Sequence, residues 1–189
     1  MGLHIKGAIK HFKTITKHRH AVIRHCFKAG IGWQGLFHDL SKYSYTEFSK
    51  GAKYYQGNRS PNEREREIYG YSVAWMHHKG RNRHHFEYWN DIDPLTKKYS
   101  SVPMPTNYLI EMFCDRVAAS KIYKGKDYVD SHPYHYFYGG NAKLIMHPKT
   151  AEQLEDLLVT LKDYGEKEAF LKARCMLKEY KKENKNKIQ

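Results

Sequence analysis

Within the stretch "GLFHDLSKYS", His38 and Asp39 stand side by side after an apolar run, with Lys42 three positions beyond. A hydrophobic core has no use for an adjacent imidazole and carboxylate. Buried without a cation, such a carboxylate pays a large desolvation cost. Both groups are ligands for divalent metals, and on a helix they would point about 100° apart and reach one ion only over the helix flank. A second concentration lies in "AWMHHKGRNRHHFEYW", where His77 and His78 precede a glycine-containing turn and His84 and His85 follow it. One HH pair is weak evidence of a metal site, but two pairs bracketing a turn can converge on one centre. Upstream, His4, His11, His18 and His25 recur every seven residues and form one slowly drifting helical stripe. His20 borders the same apolar face from the other side, so geometry alone does not choose between His18 and His20. Asp115, in "LIEMFCDRVAASKI", has Met112, Ala118, Ala119 and Ile122 as helical neighbours. Its carboxylate should face apolar surroundings, where an arginine or a metal must satisfy it.

Helices must position these residues. Helical spacing of Ile5, Ile9, Phe12, Ile15, Val22, Ile23 and Cys26 predicts a helix from His4 to about Lys28, closed by "AGIG". A second is expected through Trp33–Leu40. Ser60-Pro61-Asn62-Glu63 is a strong start signal for a third, which should carry Ile68, Val73, Trp75 and Met76 and stop at Gly80. A fourth is expected from Asn107 to about Lys124, an irregular Gly/Tyr/His-rich stretch over 125–148, and two final helices starting near Thr150 and Gly165. Alternating strand patterns are nearly absent. The expected fold is all-α, a single-domain helical bundle over residues 1–189, with C-terminal helices at about 150–183 and a basic tail at 179–189.

Composition sets the class. The 189 residues carry a formal charge of +13, with 13 His and 16 Tyr. Such charge favours polyanionic or phosphate-bearing partners, although part of it sits in the solvated tail. Cys26, Cys114 and Cys175 are widely spaced and form no CxxC, against a zinc ribbon or a disulfide scaffold and in keeping with a reducing cytoplasm. No apolar run approaches a membrane span and no signal-peptide core is evident. Gly2 is followed by Lys6 where a myristoylation signal requires Ser or Thr.

The order H…HD…H…H…D across helices resembles the HD superfamily. More closely, the chain is similar to a small uncharacterised bacterial and phage family with an HDLSK[YF]S-x-x-EF segment followed by HH-x-x-RN-x-HH-x-EYW. Here these stand as His38-Asp39-Leu40-Ser41-Lys42-Tyr43-Ser44, Glu47-Phe48, His77-His78, Arg81-Asn82, His84-His85 and Glu87-Tyr88-Trp89. The likeness runs from about residue 14 to 124 and excludes the final helices. It implies His18 as the first metal ligand, with His20 second. His38 and Asp39 are then the central pair, Asp39 bridges if two metals bind, Asp115 closes the first site, and one or more of His77, His78, His84 and His85 hold the second. These N and O donors suit one or two divalent ions among Mn, Fe, Co, Ni and Zn. Ser41 replaces the glycine of the commoner HD-x-GK form, which weakens any transfer of substrate from better-known branches.

A metal pair would lower the pKa of a bound water and clamp a phosphate oxygen against the attacker. The expected catalytic residues are Asp39, Lys42 and Arg81, with Lys42, Arg81, Asn82 and Tyr55 binding substrate. Arg83, and the aromatic residues at 132–138, are weaker candidates. Three functions fit this reading: a metal-dependent phosphohydrolase of a nucleotide or other small phosphate ester, a mixed-valent diiron oxygenase of HD type, and a non-catalytic nucleic-acid-binding module.

Overall fold

In the computed structural model the described backbone runs from residue 2 to 186, with side chains described from residue 5. The fold is all-α: α1 (Gly2–Ala29), α2 (Gly32–Gly35), α3 (Tyr45–Lys53), α4 (Pro61–Tyr69), α5 (Val73–Arg81), α6 (Thr106–Lys124), α7 (His132–Gly139), α8 (Ala142–Ile145) and α9 (Pro148–Asn186). A two-stranded antiparallel hairpin, β1 (Asn90–Ile92) and β2 (Tyr99–Ser101), pairs Asn90 with Ser101 and Ile92 with Tyr99. Sequence reading did not anticipate it, since three-residue strands are too short to show alternation. No helix among the described residues is long and apolar enough to cross a membrane.

The core lies between α1, α6 and α9. Val22 and Cys26 of α1, Leu109, Phe113 and Val117 of α6, and Leu154, Leu158 and Leu161 of α9 are completely buried. Each large side chain of this set contributes about 1.5–3 kcal/mol of burial. Because α6 is enclosed on most sides, the polar groups it carries are held rigidly. The heptad stripe of α1 faces inward, with His11, His18 and His25 all buried; the side chain of His4 lies outside the described residues.

The helix expected through Trp33–Leu40 ends instead at Gly35 and gives way to turns, with Asp39 in the left-handed region (φ 55°, ψ 24°). The helix expected to run to Gly80 is two helices. Gly70 (φ 80°) caps α4, where only glycine is unstrained, and the Ser72 hydroxyl accepts the Trp75 amide to start α5. Buried Glu65 secures the break, accepting from Ser72 Oγ at 2.5 Å and from the Ala74 amide at 3.3 Å. The stretch 125–148, read as irregular, contains α7 and α8, with Pro133 in the first turn of α7. The two final helices form one span, broken where Gly165 adopts φ 81°, ψ 177°, and residues 179–186 continue it.

Candidate metal centre

Four elements and two turns converge on one buried locus. Helix α1 brings His18, the turn after α2 brings His38 and Asp39, and α3 brings Glu47. Helix α5 and the turn after it bring His78, His84 and His85, and α6 brings Glu111 and Asp115. The left-handed backbone at Asp39 explains how adjacent residues share a centre. It turns the chain so that His38 and Asp39 converge without the flank position that the 100° offset of a helix would impose on a shared ion. Arg19 holds this turn by donating to the backbone carbonyls of His38 (3.2 Å) and Leu36.

Two donor clusters meet at Asp39. In one, His18 Nε2 lies 2.9 Å from Asp115 Oδ1 and 3.7 Å from Asp39 Oδ2, while His38 Nε2 lies 3.2 Å from Asp39 Oδ2 and 3.5 Å from Asp115 Oδ1. In the other, His78 Nε2 and His84 Nε2 lie 3.3 and 3.4 Å from Asp39 Oδ1, and His85 Nε2 lies 2.9 Å from His78 Nε2. Each cluster offers four donor atoms within 4.8 Å of one another. Asp39 thus presents one oxygen to each.

The donor set fits a divalent metal. His38 Nε2, His84 Nε2 and Asp39 Oδ1 are buried with no hydrogen-bond partner, whereas His18 Nε2 meets Asp115 Oδ1 and Asp39 Oδ2 meets Lys42 Nζ. Buried polar atoms are otherwise almost always paired, and these three unmet atoms, converging with His18, His78, His85 and Asp115, are ones that a bound cation would satisfy. Lys42 Nζ, 2.5 Å from Asp39 Oδ2, supplies one positive charge at the rim. His85 is kept neutral by burial and by the neighbouring His84 and His78, which leaves its lone pair available.

A surrounding layer fixes these ligands. Glu111 Oε1 accepts from Nδ1 of His38 at 2.8 Å and of His84 at 3.2 Å, so one carboxylate orients a ligand of each cluster and turns both Nε2 atoms inward. Burial would raise the Glu111 carboxyl, but these two histidines hold it at about 2. Gln34 Nε2 donates to Glu111 Oε2 (2.5 Å), and Asn107 Nδ2 donates to Gln34 Oε1 (2.8 Å). Glu47 does the same for α5, with His77 Nδ1 at 2.6 Å and His78 Nδ1 at 2.7 Å. Sequence reading assigned no role to Glu111 or Glu47. Glu111 did carry a signal, standing one helical turn before Asp115 on the same face of α6.

The structure therefore brings His18, His38, Asp39, His78, His84, His85 and Asp115 together and leaves His77 outside both clusters, on Glu47. His20 is exposed on the other flank of α1. A cavity of about 570 Å³ opens onto the centre, with Lys42 and Tyr55 in its wall. The Tyr55 hydroxyl lies 2.9 Å from Thr14 Oγ1. Two expected substrate contacts are elsewhere. Arg81 is exposed at the end of α5, away from the cavity wall. Asn82 is buried, its Nδ2 donating to Ser41 Oγ (2.7 Å) and the His78 carbonyl (2.8 Å), so it ties the two turns together. The reason is that α5 ends at Arg81 and the chain turns inward at Asn82. Arg83 lies over Tyr88 and Tyr108 at the surface. Arg59, Arg66 and Arg116 line the cavity instead.

A family model described as a family of unknown function (DUF5662) matches residues 7–160, so the chain belongs to that family. The match contains every residue of the two clusters. No curated protein and no solved structure matches the chain.

Proposed function

We propose that this member of the DUF5662 family is an HD-type, metal-dependent phosphohydrolase acting on a nucleotide or other small phosphate ester. The observation that carries the reading is the convergence of seven buried or half-buried histidine and aspartate side chains, centred on Asp39. Four of them (His18, His78, His85 and Asp115) line a cavity that also carries Lys42, Arg59, Arg66 and Arg116. His18, His38, Asp39 and Asp115 would hold one ion, and Asp39, His78, His84 and His85 a second. An ion pair of this kind, drawn from Mn, Fe, Co, Ni and Zn by its N and O donors, supplies a nucleophilic water near neutral pH and Lewis acidity toward a phosphoryl oxygen. The chain does the rest. Lys42 neutralises phosphate charge at the rim, Glu111 and Glu47 keep the imidazoles in the correct tautomer and orientation, and the apolar wall contributed by Ile15 and Met112 restricts water.

A screen of nucleotides and small phosphate esters with added Mn, Co and Ni tests this directly. Turnover is expected in the wild type and is expected to fall to background in Asp39→Asn. Absence of turnover on every ester by fully metal-loaded protein would refute it. The two clusters sharing Asp39 also favour a second reading, a mixed-valent diiron oxygenase. An iron-free preparation fully active with Mn or Co eliminates it, whereas an iron and oxygen requirement would establish it. A nucleic-acid-binding module would instead bind RNA or DNA in a salt-sensitive manner that survives His38→Ala and Asp39→Ala.

A further inference from the structure

The cavity wall contains a guanidinium two of whose donors no protein group accepts, although the carboxylates of Asp115 and Glu87 stand within electrostatic reach of it. Arg116 follows Asp115 on α6 but projects from a different flank of the helix, toward α7, where its guanidinium carbon lies 5.9 Å from the centroids of both Tyr136 and Phe137. Its Nε and Nη1 are shut off from solvent and make no hydrogen bond, and among the described residues it enters no ion pair. An arginine cannot escape this by losing its proton. Aromatic faces soften the charge but accept no N–H in its plane. Arg116 is half-buried as a residue, but two unmet buried donors destabilise the free protein, and such an arrangement persists where a ligand completes it. Asp115, the residue before Arg116, joins the metal cluster with His18, His38 and Asp39, whereas Arg116 faces α7, so the α7 side of the same cavity is a second place of attachment.

We infer that Arg116 is a subsite for a second oxyanionic group of the substrate, a phosphate or a carboxylate distinct from the group presented to the metal clusters. This rests on the phosphohydrolase reading for the identity of the first group, but not for the existence of the subsite. It specifies a substrate with two separated anionic ends. Arg116 is the specificity-determining contact, donating two N–H groups to the distal oxyanion.

Sulfate and acetate, both weak ligands for divalent ions, serve as separate probes of the full-length protein with its metal content verified. Sulfate is expected to bind the wild type and raise its Tm. In Arg116→Gln the affinity should fall on the order of tenfold or more, with Arg116→Lys in between. If acetate shows the larger dependence on Arg116, the distal group is a carboxylate; if sulfate does, a phosphate. Equal sulfate and acetate affinities in wild type and Arg116→Gln would overturn the inference. A second measurement guards against a folding defect: Arg116→Met, which removes the unmet charge, should melt no lower than the wild type without added anion. A clear drop in its Tm would show a structural role and would also overturn the subsite. Anion binding lost in Arg116→Gln without hydrolysis of any ester would leave the subsite standing and remove only the phosphohydrolase. Hydrolysis with anion binding unaffected by Arg116 would do the reverse.

Discussion

At the scale of single residues, Asp39 is the pivot, since its two oxygens face different clusters and only Oδ2, against Lys42, has a cationic partner. Asp39→Ala is expected to abolish stoichiometric metal binding while circular dichroism stays near wild type; a variant that still binds metal stoichiometrically would refute the assignment. Glu111 is expected to behave differently from any one ligand. Glu111→Gln should weaken metal binding at both clusters, on the order of 10–100-fold, because one oxygen fixes His38 and His84 together. His18→Ala should empty one cluster only, which metal stoichiometry by elemental analysis distinguishes. The His38–Asp39 pair was legible in the sequence because an imidazole and a carboxylate interrupt an apolar run. Arg116 was not, because what marks it is the lack of a partner, and that shows only once the helices are packed. Arg81 was read as a phosphate contact from its place in a turn between histidine pairs. The same turn sends Asn82 inward and leaves Arg81 outside.

At the scale of elements, the close approach of α2 to α1 sets the turn that carries His38 and Asp39. A Cβ added at Gly35 would stand 2.4 Å from Cys26 Cβ, inside any allowed contact. Gly35→Ala should therefore cost about 1–3 kcal/mol of stability and lower metal affinity by shifting the turn, read by thermal melting and metal titration; an unchanged Tm would contradict this packing. His25, which is in neither donor cluster, gives α1 a pH response. Burial lowers it from 6.5 to about 4, and its Nδ1 lies 3.2 Å from the Cys114 carbonyl of α6. The unfolded chain binds the proton more tightly, so stability is fully present above pH 6.5 and is lost as pH falls from there through 4. His25→Leu should flatten this part of the stability profile; an unaltered profile would show that other groups control it. Helix α1, α6 and the break at Gly165 were legible from periodicity and glycine placement. The stop of α2 at Gly35 was not, because a left-handed aspartate leaves no compositional trace. Nor was the split between α4 and α5, where Gly70 and Ser72 act through buried Glu65.

At the scale of the whole molecule, the bundle places a rigid α6 between a hydrocarbon core and a polar locus, so Glu111 and Asp115 are held by the same packing that stabilises the fold. The end of α9 contributes little to either. Truncation after Lys178 retains Leu177, the last buried apolar residue described, and is expected to preserve metal content and turnover; a folded truncation without turnover would show that the segment has a role. The all-α class and single bundle were readable from helical spacing across the chain, but the cavity was not, because its wall draws on α1, α3, α4, α6 and α7 at once. The central claim is that the convergent histidines and aspartates form a metal centre, and elemental analysis of the full-length protein tests it most directly. About two divalent transition-metal ions per chain are expected, one for each cluster sharing Asp39, falling to background in Asp39→Ala. Wild-type protein that carries no transition metal, and takes up none when incubated with Mn, Fe, Co, Ni or Zn, would contradict the account.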